Sequence, residues 1–192
     1  MAEIRRGDPV EETVLVDLLQ RAQTASDPTA FDGLYLLFAD RVYRYLLARL
    51  SDPEMAEEIT AQVFLRLMEK IDIYRINPRD NAAIFSAWLY RLAHNKMVDV
   101  MRSYRRAQEA PLDQASHMAD GRQLEDIEDR LDFERVLEKL QLLNDQQREV
   151  ILLRFVEDFS IAETALIMQK SEGAVKALQH RALESLRRLL NL

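Results

Sequence analysis

Along nearly the whole chain, apolar residues recur at intervals of three and four, and no segment sustains the one-in-two alternation of a half-buried strand. The pattern predicts helices over residues 10–25, 28–50, 51–71, 84–106, 131–142, 145–157, 161–168 and 172–190. Local chemistry marks several of the boundaries. Asp27 can cap a helix whose first turn holds Pro28. Ser51 with Glu54, Asn144 with Gln147 and Ser160 with Glu163 all have capping-box spacing, in which two side chains three residues apart each satisfy the other's free backbone N–H. Ser171 is placed to cap the last helix. Residues 74–83, with Asn77-Pro78 and Asp80-Asn81, read as a loop.

From Pro111 the helical pattern gives way to a polar, acidic stretch, too long and too charged for a loop inside a compact domain. The expected fold is therefore all-α: two small helical domains joined by an acidic linker. The expected divisions are an N-terminal helical extension at 1–27, a first domain at 28–107, the linker at 108–130 and a second domain at 131–192. An apolar fraction of 48% can build two cores, while no apolar run approaches the ~20 residues a membrane helix needs. Membrane insertion is not expected. No cationic start leads into an apolar stretch with a cleavage site, so the expected location is the cytoplasm. The absence of cysteine excludes disulfides, thiolate metal sites and a cysteine nucleophile.

Charge changes the picture once it is mapped along the chain. The net charge is −7, and between Ala107 and Glu134 nine acids face only Arg122 and Arg130. That one segment accounts for the imbalance. By contrast, 86–106 holds Arg91, Lys96, Arg102, Arg105 and Arg106 against Asp99, and 170–188 holds Lys170, Lys176, Arg181, Arg187 and Arg188 against Glu172 and Glu184. Local basic patches matter more to a polyanion than total charge does. Enzyme signatures are missing. The four glycines, Gly7, Gly33, Gly121 and Gly173, are too scattered for a phosphate-cradling loop. His94, His117 and His180 are too far apart for a metal motif, and the acidic pairs fall on expected surface or linker. No catalytic residue, metal or cofactor is assigned.

Two helices carry sharper patterns. The short helix at 161–168, the tight connection at 169–171 and the longer helix at 172–190 have the layout of a helix-turn-helix. At 100° per residue, Val175, Leu178, Ala182, Leu186 and Leu189 share one sector of the longer helix. Lys176, Ala177, His180, Arg181, Glu184 and Arg187 lie opposite, a small and cationic face suited to the major groove. The simpler alternative is an amphipathic bundle helix. On the helix at 84–106, Trp88, Arg91, Asn95, Asp99, Arg102 and Arg106 form one stripe, and Leu89, Leu92, Ala93, Met97, Val100 and Tyr104 form the expected buried side. An aromatic among arginines suits single-stranded DNA. Taken alone, the stripe is better explained by a Trp88 packed under a neighbouring loop and an Asp99–Arg102 pair.

In order and spacing, these segments resemble the extracytoplasmic-function (ECF) sigma factors of the bacterial sigma-70 family, over almost all of 31–190. Residues 56–67 resemble the family's core-polymerase-binding helix, 87–99 its promoter-melting helix, and 160–182 its −35-reading helix-turn-helix. Residues 88–99 make the resemblance specific, because the last segment alone also fits response-regulator DNA-binding domains. The resemblance implies a non-catalytic factor that directs core polymerase to promoters and melts the −10 element. It implies −10 contacts from Trp88, Arg91, His94, Asn95, Lys96, Arg102, Arg105 and Arg106, and −35 contacts from Ser171, Lys176, Ala177, His180 and Arg181. Core polymerase would be held through Glu57, Glu58, Gln62, Phe64 and Leu65. The implied partners are the β′ clamp helices and β flap of the polymerase core and promoter DNA, with an anti-sigma factor as a further candidate. Glu58 and Ala61 stand where the family usually has Asp and Gln, and the helix before Phe31 is longer than the shortest members need. Two other classes fit parts of the pattern: a helix-turn-helix regulator acting without polymerase, and a helical adaptor with no nucleic-acid role.

Overall fold

The computed structural model describes residues 9–25, 27–74, 82–108, 138 and 140–189. The expected acidic linker, most of the 131–142 helix and most of the 74–83 loop lie outside the described residues. Every regular element among the described residues is helical. These are α1 (Pro9–Ala25), α2 (Pro28–Leu50), α3 (Pro53–Lys70) with a 3-10 turn at Ile71–Ile73, α4 (Ala82–Gln108), α5 (Asp145–Ile151), α6 (Ile161–Met168) and α7 (Glu172–Leu189). Leu152–Val156 extends α5 with π-type bonding, in which the N–H of Glu157 reaches the carbonyl of Leu152 at 2.9 Å. Backbone proximity separates two units: Met1–Leu46 with Glu57–Asp113, and Leu47–Ala56 with Gln114–Leu192.

In the first unit, α1 is built into the core. Leu15, Leu18, Leu19 and Ala22, spaced at three and four, are buried along one face. α2 comes close enough at Gly33 that a Cβ there would lie 2.7 Å from Leu18 Cδ2. The corner between the two helices is fixed by polar chemistry. Asp27 Oδ1 accepts from the N–H of Thr29 (3.0 Å), capping α2, while Arg21 donates to Asp27 Oδ2 (2.7 and 2.9 Å) and to Thr29 Oγ1 (2.7 Å). Bonding to Arg21, then to Thr29, holds the Asp27 carboxyl below the usual carboxylate range. Phe38, Phe85, Tyr45, Tyr90, Ile59, Leu67 and Leu89 fill the core.

One expected cap is replaced by another. Ser51 does not open α3: at φ 55° it adopts the left-handed conformation, and its N–H closes α2 on the Leu47 carbonyl at 2.8 Å. Pro53 takes the first helical position, so the cap falls to Asp52, whose Oδ1 accepts from the N–H of Met55 at 3.0 Å.

In the second unit the caps follow the sequence closely. Asn144 Oδ1 accepts from the N–H of Gln147 (3.0 Å), and the Gln147 side-chain N–H donates to Ser185 Oγ on α7 (3.1 Å). At α6 both halves form: the N–H of Glu163 donates to Ser160 Oγ (3.2 Å) and the N–H of Ser160 donates to Glu163 Oε2 (2.7 Å). Arg148 fans onto the carbonyls of Leu140, Gln141 and Leu143, satisfying the acceptors that a helix end leaves free.

Candidate nucleic-acid interface

α6 and α7 are joined through Gln169, which turns the chain at φ 54°, and Lys170, whose N–H returns to the Ala165 carbonyl at 2.9 Å. Ser171 Oγ then accepts from the N–H of Ala174 at 3.2 Å and starts α7. Val175, Leu178 and Ala182 are buried. Ser171, Lys176, Ala177, His180, Arg181, Glu184 and Arg187 all face solvent, Leu186 is half-buried, and Leu189, the last residue of α7, is exposed. Within this face Arg181 Nε donates to the Ala177 carbonyl (3.3 Å), and His180 Nδ1 lies 3.5 Å from Glu184.

On α4, Arg91, Asp99, Arg102 and Arg106 are exposed, and Trp88, His94, Asn95 and Lys96 are half-buried. The side chain of Arg105 lies outside the described residues. Arg102 and Asp99 approach to 3.8 Å with both side chains largely in water, a pairing of small energetic weight. Tyr104, expected on the buried side, is 48% exposed. The buried face is instead continued toward the N-terminus by Phe85, Ser86 and Tyr90, where α4 meets the core. Trp88 packs on Tyr74, with ring centroids 4.9 Å apart, and on Phe85 at 5.8 Å.

On α3, Glu57, Glu58 and Leu65 face solvent, and Gln62 is half-buried with its amide donating to Glu58 Oε1 at 2.7 Å. Phe64 departs from the exposed setting expected for it. It is only 7% exposed, because it shares the inward face of α3 with Thr60, Val63 and Leu67, and it meets Tyr35 edge-on at 4.9 Å. Tyr35, Leu36, Leu65 and Met68 are large apolar residues left in solvent. No sequence signal marks Tyr35, Tyr74 or Gln23. Each takes its place through a partner more than ten residues away, a relation that periodicity cannot express.

Among the described residues no group of acidic or histidine side chains could hold a metal, and no helix is long and apolar enough to cross a membrane. Two known families match the chain: sigma-70 region 2 over 34–107, which contains α3 and α4, and sigma-70 region 4 over 133–186, which contains α5 and α6 and most of α7. The ECF RNA polymerase sigma factor SigW of Bacillus subtilis (strain 168) is 30% identical over 174 residues, covering 85% of this chain and 90% of SigW. The chain belongs to the ECF sigma factors. This sigma factor is also 36% identical over 181 residues to the ECF RNA polymerase sigma factor BldN of Streptomyces coelicolor, covering 92% of its own length and 66% of BldN. Its fold matches that of CnrH in the complex with the cytosolic domain of CnrY, with a TM-score of 0.60 and 25% identity over 94% of this chain and 96% of that one. Sigma factors work with RNA polymerase core and promoter DNA in promoter-specific transcription initiation, as non-catalytic regulators of transcription.

Proposed function

We propose that the two units divide the promoter between them: α4 binds and opens the −10 element, and α7 reads the −35 element as duplex. The observation that carries this reading is a pair of solvent-facing basic stripes on helices from different units, one with an aromatic at its N-terminal end and one small at its leading turn. Lys176, Ala177, His180 and Arg181, led by Ser171, form a face narrow enough to enter the major groove, where side chains reach base edges and flanking cations meet phosphate. Along α4, Trp88, Arg91 and Asn95 lie toward the N-terminal end, and Arg102, Arg105 and Arg106 follow roughly 15–25 Å further along at 1.5 Å per residue. That division suits opened strand at one end, with His94 and Lys96 beside it, and upstream duplex phosphate at the other.

Core polymerase docks on α3 through Glu57, Glu58, Gln62 and Leu65, with Phe64 acting from beneath by holding that face in place. The contact on the polymerase is the β′ clamp helices, and the second unit meets the β flap. The acidic segment at 108–130 follows the path of nucleic acid inside the enzyme, where negative charge imitates a phosphate backbone. The protein itself catalyses no reaction, needs no cofactor and acts in the cytoplasm. An anti-sigma protein is an additional partner in this reading, and the complex of CnrH with the cytosolic domain of CnrY supports a further protein partner.

The direct test is in vitro transcription with core polymerase on promoter libraries, followed by start-site mapping. Core-dependent initiation at promoters sharing −10 and −35 elements is expected. Protection of duplex DNA by the chain without polymerase, and no core-dependent initiation, would instead mark a self-sufficient helix-turn-helix regulator.

A further inference from the structure

Among the described contacts, the side chain of Gln23 ties the aromatic cluster at the start of α4 to α1. Gln23, in the last turn of α1, donates its amide to the backbone carbonyl of Ile71 at 2.7 Å and to that of Tyr74. These acceptors belong to the 3-10 turn that closes α3 and to the residue after it, where a helix end leaves carbonyls in need of partners. Tyr74 turns its ring inward, edge-on to Phe85 at 5.5 Å and tilted against Trp88 at 4.9 Å. An unbroken series of contacts thus runs from the Gln23 amide through the Tyr74 backbone and ring to the Trp88 indole, all within one unit. The starting point is itself anchored. Leu18 is seated against Gly33, and Arg21, two residues before Gln23, is bonded to Asp27 and Thr29.

We infer that Gln23 is a positioning residue for promoter opening, holding Tyr74 so that Trp88 presents its indole to an unpaired base in one orientation. The inference deepens the reading of Trp88 proposed above and rests on it. Stacking depends on the relative orientation of the rings, so a tyrosine free to change its tilt would leave the indole with several poses of which only some accept a base. A primary amide suits the task, because one nitrogen carries two N–H donors for two acceptors. A carboxylate of the same shape would set acceptor against acceptor.

Trp88 is the only tryptophan in the chain, so its fluorescence reports on this cluster alone. The experiment compares full-length Gln23→Glu, Gln23→Lys, Tyr74→Leu and Trp88→Ala chains, each assembled with core polymerase. Gln23→Glu should shift the Trp88 emission of the free chain and lower permanganate-detected opening of a duplex promoter about tenfold, within the range that stacking of one base supplies. Retention on core and closed-complex formation should stay near wild type, and a template with a pre-melted bubble should restore initiation. Gln23→Lys, which keeps a donor, should recover most of the opening. Tyr74→Leu should reproduce the defect and decides the question if Gln23→Glu does not fold. Adding Gln23→Glu to Trp88→Ala should cost nothing further, since both act on one step. Normal emission and opening in Gln23→Glu, with Trp88→Ala defective, would overturn the positioning role alone. Normal opening in Trp88→Ala would overturn the reading on which it rests. Parallel loss of core retention and opening in Gln23→Glu, with no rescue by the bubble, would reduce Gln23 to a structural residue and also overturn the inference.

Discussion

At the scale of single residues, exposure separates side chains able to meet a polyanion from those that cannot. Lys176 and Arg181 stand in solvent on α7, one turn and a half apart, above a buried row of Val175, Leu178 and Ala182. Replacing either by Ala removes no core contact, so folding should be unchanged. A lost base contact costs about 1–3 kcal/mol of discrimination at one position of the −35 element, whereas a lost phosphate contact weakens all sequences evenly and lowers the salt slope by about one. Competition binding of the holoenzyme across −35 variants, repeated at two salt concentrations, distinguishes these outcomes. Unchanged −35 preference and unchanged salt slope in both variants would remove α7 from the role of reader. Phe64 and Tyr104 illustrate the limit of residue-level inference from sequence. Phe64 is buried where an exposed contact was expected, because it lies at the edge of the apolar sector of α3 and meets Tyr35; Tyr104 is exposed where core was expected, because it lies in the last turns of α4, where residues 102–104 and 106 are all exposed.

At the scale of elements, the α1–α2 corner has a pH dependence whose sign can be worked out. Hydrogen bonds from Arg21, then Thr29, hold the Asp27 carboxyl below its ordinary range in the folded chain. A depressed carboxylate contributes stability that is fully present above its unfolded pKa and is lost as pH falls through its folded pKa. The corner should therefore be insensitive around neutrality and loosen only in acid, below the usual carboxylate range. Asp27→Asn should lower the thermal midpoint at neutral pH by a few degrees and flatten the acid limb of the stability profile. An acid limb as steep as that of the wild type would show that other carboxylates carry it. Arg21, which bonds Asp27, and Gln23, which bonds the Tyr74 carbonyl, lie two residues apart near the end of α1.

At the scale of the whole molecule, the tasks proposed for the two units can be separated by changing the charge of one surface at a time. Glu58 is exposed on α3 and bonded only locally, to Gln62, among the described contacts. Glu58→Lys should leave the thermal midpoint intact and, by reversing the charge offered to the clamp, reduce co-purification with core polymerase at least severalfold, a loss that weakens at higher salt. Undiminished retention on core would move the docking surface elsewhere, toward the exposed Tyr35 and Leu36 on α2. The all-helical class, most helix boundaries, the Ser160 capping box and the two basic stripes were all legible in the sequence. Each depends on residues within one or two turns of one another, and helical periodicity and capping are short-range effects. Tertiary structure alone decided that α1 is part of the first core, where Leu18 packs so closely over Gly33 that an added Cβ would lie 2.7 Å from it. It also decided that Tyr74, just after the 3-10 turn, is buried, that Phe64 points inward, and that Gln23 reaches carbonyls 48 and 51 residues away. Those facts concern which surfaces meet across the chain, and a linear pattern fixes the face a helix must bury without naming the residues that bury it.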